Sequence, residues 1–441
     1  MTMPPARPAM AARRPIAPPV SAAASIVPAP LGMAGGVACT LWSGYLLLSP
    51  FYFFESGQPQ IADYILALLT GWLALARGFS FSRALTGIVV TAALLTSYIV
   101  LVNGSWTVLL GEDELLLYTA FYLFNFVALL DTAILCHWLG RRFGELTGVT
   151  SVMSLMLQFG LSFVVDGGGT ERGAMFFNNP NQLGYYAVLF ASLVWAWSQW
   201  SSRSKNTLVM VEIAAYIAAG WLTIVSQSRG AISAFAILVF LRAAARVNVV
   251  LLGAAALIGV ALMQSDLPLI ESMRSRMEHK SQGTNEEMSY RGYDRMFNHP
   301  NYLWLGAGEG CYWRFRSDHP GEMHSNFGSL LFCYGAVGLG VFLRLFWVTF
   351  RDAGVKATLY LMPAMAYGLS HNGLRQSELW ILFALTVGLH STRLAARPLA
   401  RIAAMPPASR PGVRPKAPRR SAASRPLNEI PAARQTGPRR R

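Results

Sequence analysis

Charge is scarce in this 441-residue sequence, where Asp, Glu, Lys and Arg together make up only 13%. A soluble domain carries about 25% and needs it to cover its surface. Acid is scarcer still, with 22 Asp and Glu against 37 Lys and Arg. Cysteine is limited to Cys39, Cys136, Cys311 and Cys333, none at metal-binding spacing. Three of them lie in apolar runs, where a thiol packs as a small hydrophobe, and Cys311 lies in a polar stretch. No disulfide framework or zinc site follows. A repeat of fixed period is also missing, which argues against transporters built from duplicated halves. Ahead of Leu31 there is no apolar run of the kind a secretory signal peptide requires, only an Ala/Pro-rich stretch with Arg7, Arg13 and Arg14. Residues 1–30 read as a disordered cytoplasmic tail.

What the sequence has instead is apolar length: 53% of its residues are hydrophobic. A membrane-spanning helix needs roughly 20 largely apolar residues, because the bilayer offers no partner to an unpaired backbone group. Such segments fall at 32–54, 61–77, 84–103, 115–136, 146–165, 183–200, 207–226, 231–245, 247–265, 326–350, 355–370 and 378–394. The expected fold is an all-α membrane protein of about twelve transmembrane helices, occupying 31–394. Residues 395–441, rich in Pro, Ala and Arg, read as a disordered basic cytoplasmic tail.

The formal charge of +15 is a topology signal before it is a sign of nucleic acid, because the basic residues collect in the tails and in alternate short loops. With the N-terminus inside, Arg77 and Arg83, Arg141 and Arg142, Arg203 and Lys205, Arg242 and Arg246, and Arg351 and Lys356 all fall on the cytoplasmic side. Glu55, Glu112, Asp113, Glu114, Asp166 and Glu171 then fall outside. Both termini are expected inside, and the expected location is a bacterial inner membrane. One connection is unlike the rest. Residues 266–325 form a long periplasmic loop before the tenth span, far beyond the two to eight residues that usually join packed helices.

Four polar stretches converge on the expected outer face. In the first, Arg172 precedes Asn179-Pro180-Asn181; a guanidinium fork suits phosphate oxygens, and the turn presents amides at a helix mouth. The plainer reading is a loop whose Asn181 caps the next helix. The second is Ser226-Gln227-Ser228-Arg229-Gly230, where Arg229 either anchors the interface or contacts a ligand beside a glycine that permits close approach. The third runs from Arg291 to Tyr312 and holds Gly306-Ala307-Gly308-Glu309-Gly310, read as a structural turn in preference to an anion-binding nest, with Glu309 a candidate member of a polar network. The fourth is Met323-His324-Ser325-Asn326, where His324 is the side chain best suited to take a proton near neutral pH, unless it is simply a helix-entry residue. His371, Asn372 and Arg375 fall in the last outer loop and could line the same space. Asp131 and Glu212 lie in or near spans without an evident partner.

Taken in order, the arginine and Asn-Pro-Asn-x-x-Gly of 172–184, the Ser-Arg-Gly of 228–230, the His-Pro, Gly-x-Gly and Tyr of 299–312 and the His-x-Asn at 324 resemble the O-antigen ligase and O-antigen polymerase superfamily. The resemblance covers roughly 145–350. It implies a metal-independent, cofactor-free glycosyltransferase that moves a glycan from an undecaprenyl-pyrophosphate carrier to a hydroxyl on a glycan or lipid-core acceptor. His324 then matches the catalytic base. Arg172 and Arg229 match the pyrophosphate-holding arginines, while Arg291, Asn181, Glu309 and Tyr312 join them as substrate-binding residues. A transporter or flippase of lipid-linked saccharide would also need arginines, but it should carry essential polar groups through the midplane rather than gather them at one face.

Overall fold

The computed structural model describes residues 32–55, 57–165, 172–201, 203–246, 291–315 and 321–404. Every regular element among them is helical. In chain order these are α1 (Met33–Leu48), α2 (Ile61–Ala76), α3 (Arg83–Leu110), α4 (Glu114–Leu139), α5 (Arg141–Val165), α6 (Pro180–Ser198), α7 (Lys205–Ser226) and α8 (Arg229–Arg246). Then come the short α9 (Asp294–Asn298) and α10 (Tyr302–Leu305), α11 (Asn326–Ala353), the short α12 (Val355–Thr358) and α13 (Met362–Gly368), and α14 (Ser377–Ala404). Five of them, α3, α4, α5, α7 and α11, are long and apolar enough to cross a membrane. The expected span at 247–265, the first part of the long loop and both expected tails lie outside the described residues, save 395–404. The described residues up to Thr392 form one compact unit. Those from Arg393 form another, described to Ala404 as helix.

The helices pack around a large apolar core that also encloses polar side chains, and they leave many large apolar side chains exposed on the outside. Asn103, Asn125, Asp131, Thr147, Ser151, Ser154 and Gln158 are buried, while Leu75, Val108, Val164 and Trp347 are exposed. Lipid accepts that outer surface and water does not. Buried polar groups then bond one another between helices. Trp42 Nε1 donates to Thr147 Oγ1 at 3.0 Å, Ser154 and Tyr186 share a bond of 2.7 Å, and Thr70 donates to Asp131 at 2.7 Å.

The connections sort onto two ends. At the basic end, Glu145 accepts from Trp197 and Ser201 and pairs with Arg203, while Arg77 lies over Trp138. Glu212 has a partner here after all. Arg242 is a buried part of α8 rather than a loop residue; it grips both Glu212 oxygens, one of them from Nη2 at 2.8 Å. At the other end, Tyr52 bonds Phe176, Gly173 bonds Val225, and Arg291 bonds Ser370, so the loop after α1 meets the loop after α5, that loop meets the end of α7, and the loop after α13 meets the described part of the long loop.

Two elements differ from their expected form. Helix α3 runs on to Leu110, past the apolar run ending at residue 103, because Asn103 is buried and bonded rather than at a boundary. The span expected at 355–370 is broken into α12, a 3₁₀ turn (Leu359–Leu361) and α13, with Pro363 in the first turn of α13, where its missing N–H costs least.

Candidate functional site

The site is built on the end opposite the basic loops. Helix α6 opens at Pro180, and its cap is Asn179, whose side chain accepts from Asn181 N at 2.7 Å and Gln182 N at 3.3 Å. The plain-loop alternative puts the cap at Asn181, two residues later than it falls. Proline favours the first helical position, which moves the cap one residue before it and frees the Asn181 amide. Arg172 uses that amide: its Nη2 donates to Asn181 Oδ1 at 2.6 Å and its Nε to the Ser226 carbonyl at 3.1 Å. One guanidinium thus ties the loop before α6 to the end of α7.

From Ser226 the chain turns through Gln227, held at φ 47°, into α8, which begins at the exposed Arg229. Met175, in the Arg172 loop, has φ 51°. A left-handed conformation in a side-chain-bearing residue costs of order 1–3 kcal/mol and collects at functional loops. Gly230 follows Arg229 and is pressed against the last outer loop. A Cβ there would lie 2.6 Å from Ser370 Oγ and 2.7 Å from His371 Nδ1.

His371 is the centre of the arrangement. Its ring stacks on Tyr367 at 4.8 Å and 18°, and Nδ1 shares a 3.0 Å bond with Ser370 Oγ. The Tyr367 hydroxyl donates to the Asn181 carbonyl at 3.0 Å. On its other side the His324 ring lies nearly parallel to that of His371, with centroids 6.5 Å apart. The His324 backbone N–H donates to the Arg291 carbonyl at 3.2 Å, and Arg291 Nη1 donates to the Ser370 carbonyl at 3.0 Å. Arg172, Asn181, Arg291, His324, His371 and the Arg229-Gly230 step therefore meet around one turn of chain, residues 367–371. Ser325 and Asn326 hold that turn. Ser325 caps α11 and donates to the Gly368 carbonyl at 3.3 Å, and Asn326 Oδ1 accepts from Gly373 N at 2.6 Å and Leu374 N at 3.1 Å.

Glu309 and Tyr312 belong to a second, drier cluster. The Gly306–Gly310 run does not leave its N–H groups for an anion: Ala307 N donates to the Phe332 carbonyl at 2.9 Å, Gly308 N to Cys333 at 2.8 Å, and Glu309 N to Asn103 Oδ1 at 2.9 Å. Helix α11 kinks at Gly335 (φ 67°), releasing those carbonyls, and the loop takes them up. The Glu309 carboxylate, fully buried, accepts from Tyr122 at 2.9 Å, Tyr334 at 2.7 Å, Asn372 at 3.1 Å and Arg375 at 2.5 Å. Four donors saturate it. Burial pushes this carboxyl up, but the Arg375 guanidinium with the Arg375, Tyr334 and Tyr122 hydrogen bonds outweighs burial and holds it below its ordinary value. Tyr312 is buried 4.7 Å beneath the Arg295 guanidinium, and burial raises its hydroxyl well above the usual range. Both residues thus frame the site from behind, and Asn372, next to His371, links the clusters.

Tyr367 escaped the sequence reading because it sits in an apolar stretch like any core aromatic. Arg375 gave no sign of its partner, since Glu309 is 66 positions away. Among the described residues no three His, Cys, Asp or Glu side chains converge as metal ligands. No protein-family profile matches the chain, and no curated protein aligns with it.

Proposed function

We propose that this protein is a membrane glycosyltransferase that takes a glycan from an undecaprenyl-pyrophosphate carrier at the outer face of a bacterial inner membrane and joins it to an acceptor hydroxyl, as an O-antigen ligase or a surface-polysaccharide polymerase does. The observation that carries the reading is the meeting of Arg172, Arg229-Gly230, Arg291 and His324 around the 367–371 turn, from four stretches far apart in sequence. Three arginines beside two histidines at one end of a bundle suit a dianionic leaving group and a proton acceptor.

In this mechanism His324 takes the proton of the acceptor hydroxyl as its oxygen bonds to the anomeric carbon. The bond from that carbon to the pyrophosphate oxygen breaks, and the electron pair leaves with the phosphate. Charge grows on the leaving group, and guanidinium groups already in place stabilise the gain. His371, stacked between Tyr367 and His324, holds the base in register.

The test is transfer in proteoliposomes supplied with undecaprenyl-pyrophosphate glycan. His324→Ala is expected to lose about 10²–10⁴-fold in transfer while still binding donor, and Arg229→Ala to weaken donor binding. Full transfer by both variants sinks the site, and flipping of the lipid without transfer points to a transporter instead.

A further inference from the structure

Trp304 and Leu305, side by side at the end of α10, are 74% and 68% exposed. Held out into water, a Trp-Leu step would leave an apolar patch uncovered, so the depth at which it lies decides what meets it. Helices α3 and α11 measure that depth. Each has 28 residues, and they run antiparallel, with Gly87 near the start of α3 against Val348 and Asp352 near the end of α11. At 1.5 Å per residue each is about 42 Å long, more than the roughly 30 Å of hydrocarbon in a bilayer.

Tyr302, which opens α10, packs on Trp106 at 5.6 Å and on Phe332 at 6.0 Å, about one to two turns in from the helix ends nearest the site. Leu305 lies deeper. Its carbonyl accepts from the Tyr98 hydroxyl at 2.9 Å, and Tyr98 is about 18 Å from the Leu110 end of α3. Helix α11 agrees: a Cβ on Gly335 would meet the Trp304 carbonyl oxygen at 2.2 Å, and Gly335 is about 14 Å from the Asn326 end. The chain then returns, with Gly308 against Trp106 and Leu115, and Gly310 against Tyr118 near the start of α4. Residues 302–310 thus dip to near mid-helix and come back.

Non-helical backbone is tolerated at membrane depth only when its polar groups are paired within the protein. The tip of this hairpin meets that condition. Its carbonyls at 305–308 accept from Tyr98, from Trp106 Nε1 at 3.1 Å and from Arg314 Nη2, which serves both Ala307 and Gly308. Its N–H groups at 306–309 donate to the carbonyls of Tyr302, Phe332 and Cys333 and to the Asn103 amide oxygen. A loop in water would leave such carbonyls to solvent. Leu94 and Leu101, on either side of Tyr98 along α3, and Val337, just past Gly335, are exposed as well, so the Trp-Leu step continues the apolar surface of the two spans.

We infer that residues 302–310 form a re-entrant hairpin seated in the bilayer, with Trp304 and Leu305 facing lipid hydrocarbon. The hairpin anchors the glycine loop, and with it the Glu309 wall behind the site, to the membrane. This rests on α3 and α11 spanning the bilayer and not on the transferase reading.

The test is spin-label accessibility in full-length protein reconstituted into phosphatidylethanolamine and phosphatidylglycerol vesicles. Labels go on Trp304→Cys and Leu305→Cys, with Leu101→Cys as the lipid-facing reference on α3 and Glu112→Cys, exposed in the α3–α4 loop, as the water-facing one. Cys39→Ser forms the background, since the other three cysteines are buried. The ratio of collisions with oxygen to collisions with nickel-EDDA should match at Trp304→Cys and Leu101→Cys and exceed that at Glu112→Cys about tenfold, because hydrocarbon excludes water and its solutes. Leu305→Cys carries the same expectation and decides the matter if Trp304→Cys does not fold. A ratio like that of Glu112→Cys places the hairpin in water and overturns the inference. Shielding from both reagents shows a second copy or another protein on this face and overturns it too, as does a water-like ratio at Leu101→Cys. A protein whose Trp304 label faces lipid yet transfers no glycan overturns only the transferase reading.

Discussion

Arg375 donates to Glu309 at 2.5 Å and, through its other terminal nitrogen, to Glu322 at 2.7 Å, while its guanidinium lies 4.3 Å over the Tyr118 ring. Two carboxylates on different parts of the long loop are thereby fixed to the turn before α14. That turn also carries His371 and Asn372. The ion pair thus joins the glycine loop, the helix kink and the histidine turn into one rigid wall.

Removing one partner of a buried ion pair costs far more than the pair contributes, because the other charge is stranded without water. Arg375→Met should therefore destabilise the protein by about 3–5 kcal/mol, read as a fall in the midpoint of thermal unfolding in detergent. Adding Glu309→Gln to it should recover much of the loss, since the amide keeps the acceptor for Tyr122 or Tyr334 and removes the stranded charge. A double variant no more stable than Arg375→Met would contradict this account.

The same pair sets a pH dependence. Glu309 is held below its ordinary value of 4.5, so its contribution to stability is complete above that value and is lost as pH falls through the lower folded-state one. In Arg375→Met burial is left as the leading influence. The folded carboxyl should then rise above its ordinary value, and the sign reverses: its contribution is present at low pH and is lost as pH rises through the raised value. Unfolding midpoints followed over roughly pH 3 to 7 should slope in opposite senses for the two proteins once other carboxylates are subtracted with Glu309→Gln.

Helix α11 offers two glycines with opposite expectations. Gly335 sits at φ 67°, and a Cβ there would lie 2.2 Å from the Trp304 carbonyl oxygen. Backbone cannot retreat cheaply, so Gly335→Ala should cost at least about 2 kcal/mol and loosen the glycine loop. Gly340, five residues on, has open space where its Cβ would be. There Gly340→Ala should be neutral or stabilising by up to about 1 kcal/mol. Thermal unfolding of the pair checks both, and proteolysis near Trp304 should increase only in Gly335→Ala.

Hydropathy located the helices because a span leaves a long apolar run whatever its neighbours are, and α4, α7 and α14 begin within two residues of their expected positions. It misplaced the end of α3, because a buried Asn103 reads as a boundary when its partners Thr119, Tyr334 and the Glu309 N–H are out of view. The candidate residues were legible by type, and the described ones Arg172, Asn181, Arg291 and His324 gather at one end of the bundle. Their sorting was not: Glu309, read as a polar-network member and by resemblance as substrate-binding, is saturated by protein donors from three other segments. Long-range pairing of that kind leaves no local pattern, and neither does the use of Tyr367 as a stacking platform.

Gly230→Ala probes the proximity of the α8 start to the histidine turn. The added methyl meets side-chain atoms, Ser370 Oγ and His371 Nδ1, rather than backbone, so the turn can yield by rotating the His371 ring. Stability should change by less than about 1 kcal/mol, whereas transfer should fall about tenfold or more, as a misplacement near 1 Å can cost up to 10²-fold.

Arg172 distinguishes geometry from charge. Its fork spans two acceptors on separate loops, the Asn181 amide oxygen and the Ser226 carbonyl. A lysine ammonium keeps the charge but lacks the planar fork needed to hold both at once. If the arginine works by fixing these loops as well as by facing phosphate, Arg172→Lys should lose most of what Arg172→Ala loses, within about threefold, and both should expose the 172–181 loop to protease. Were charge alone sufficient, Arg172→Lys would retain near wild-type transfer and a protected loop. Glycan transfer measured beside limited proteolysis on the same preparations separates the two outcomes.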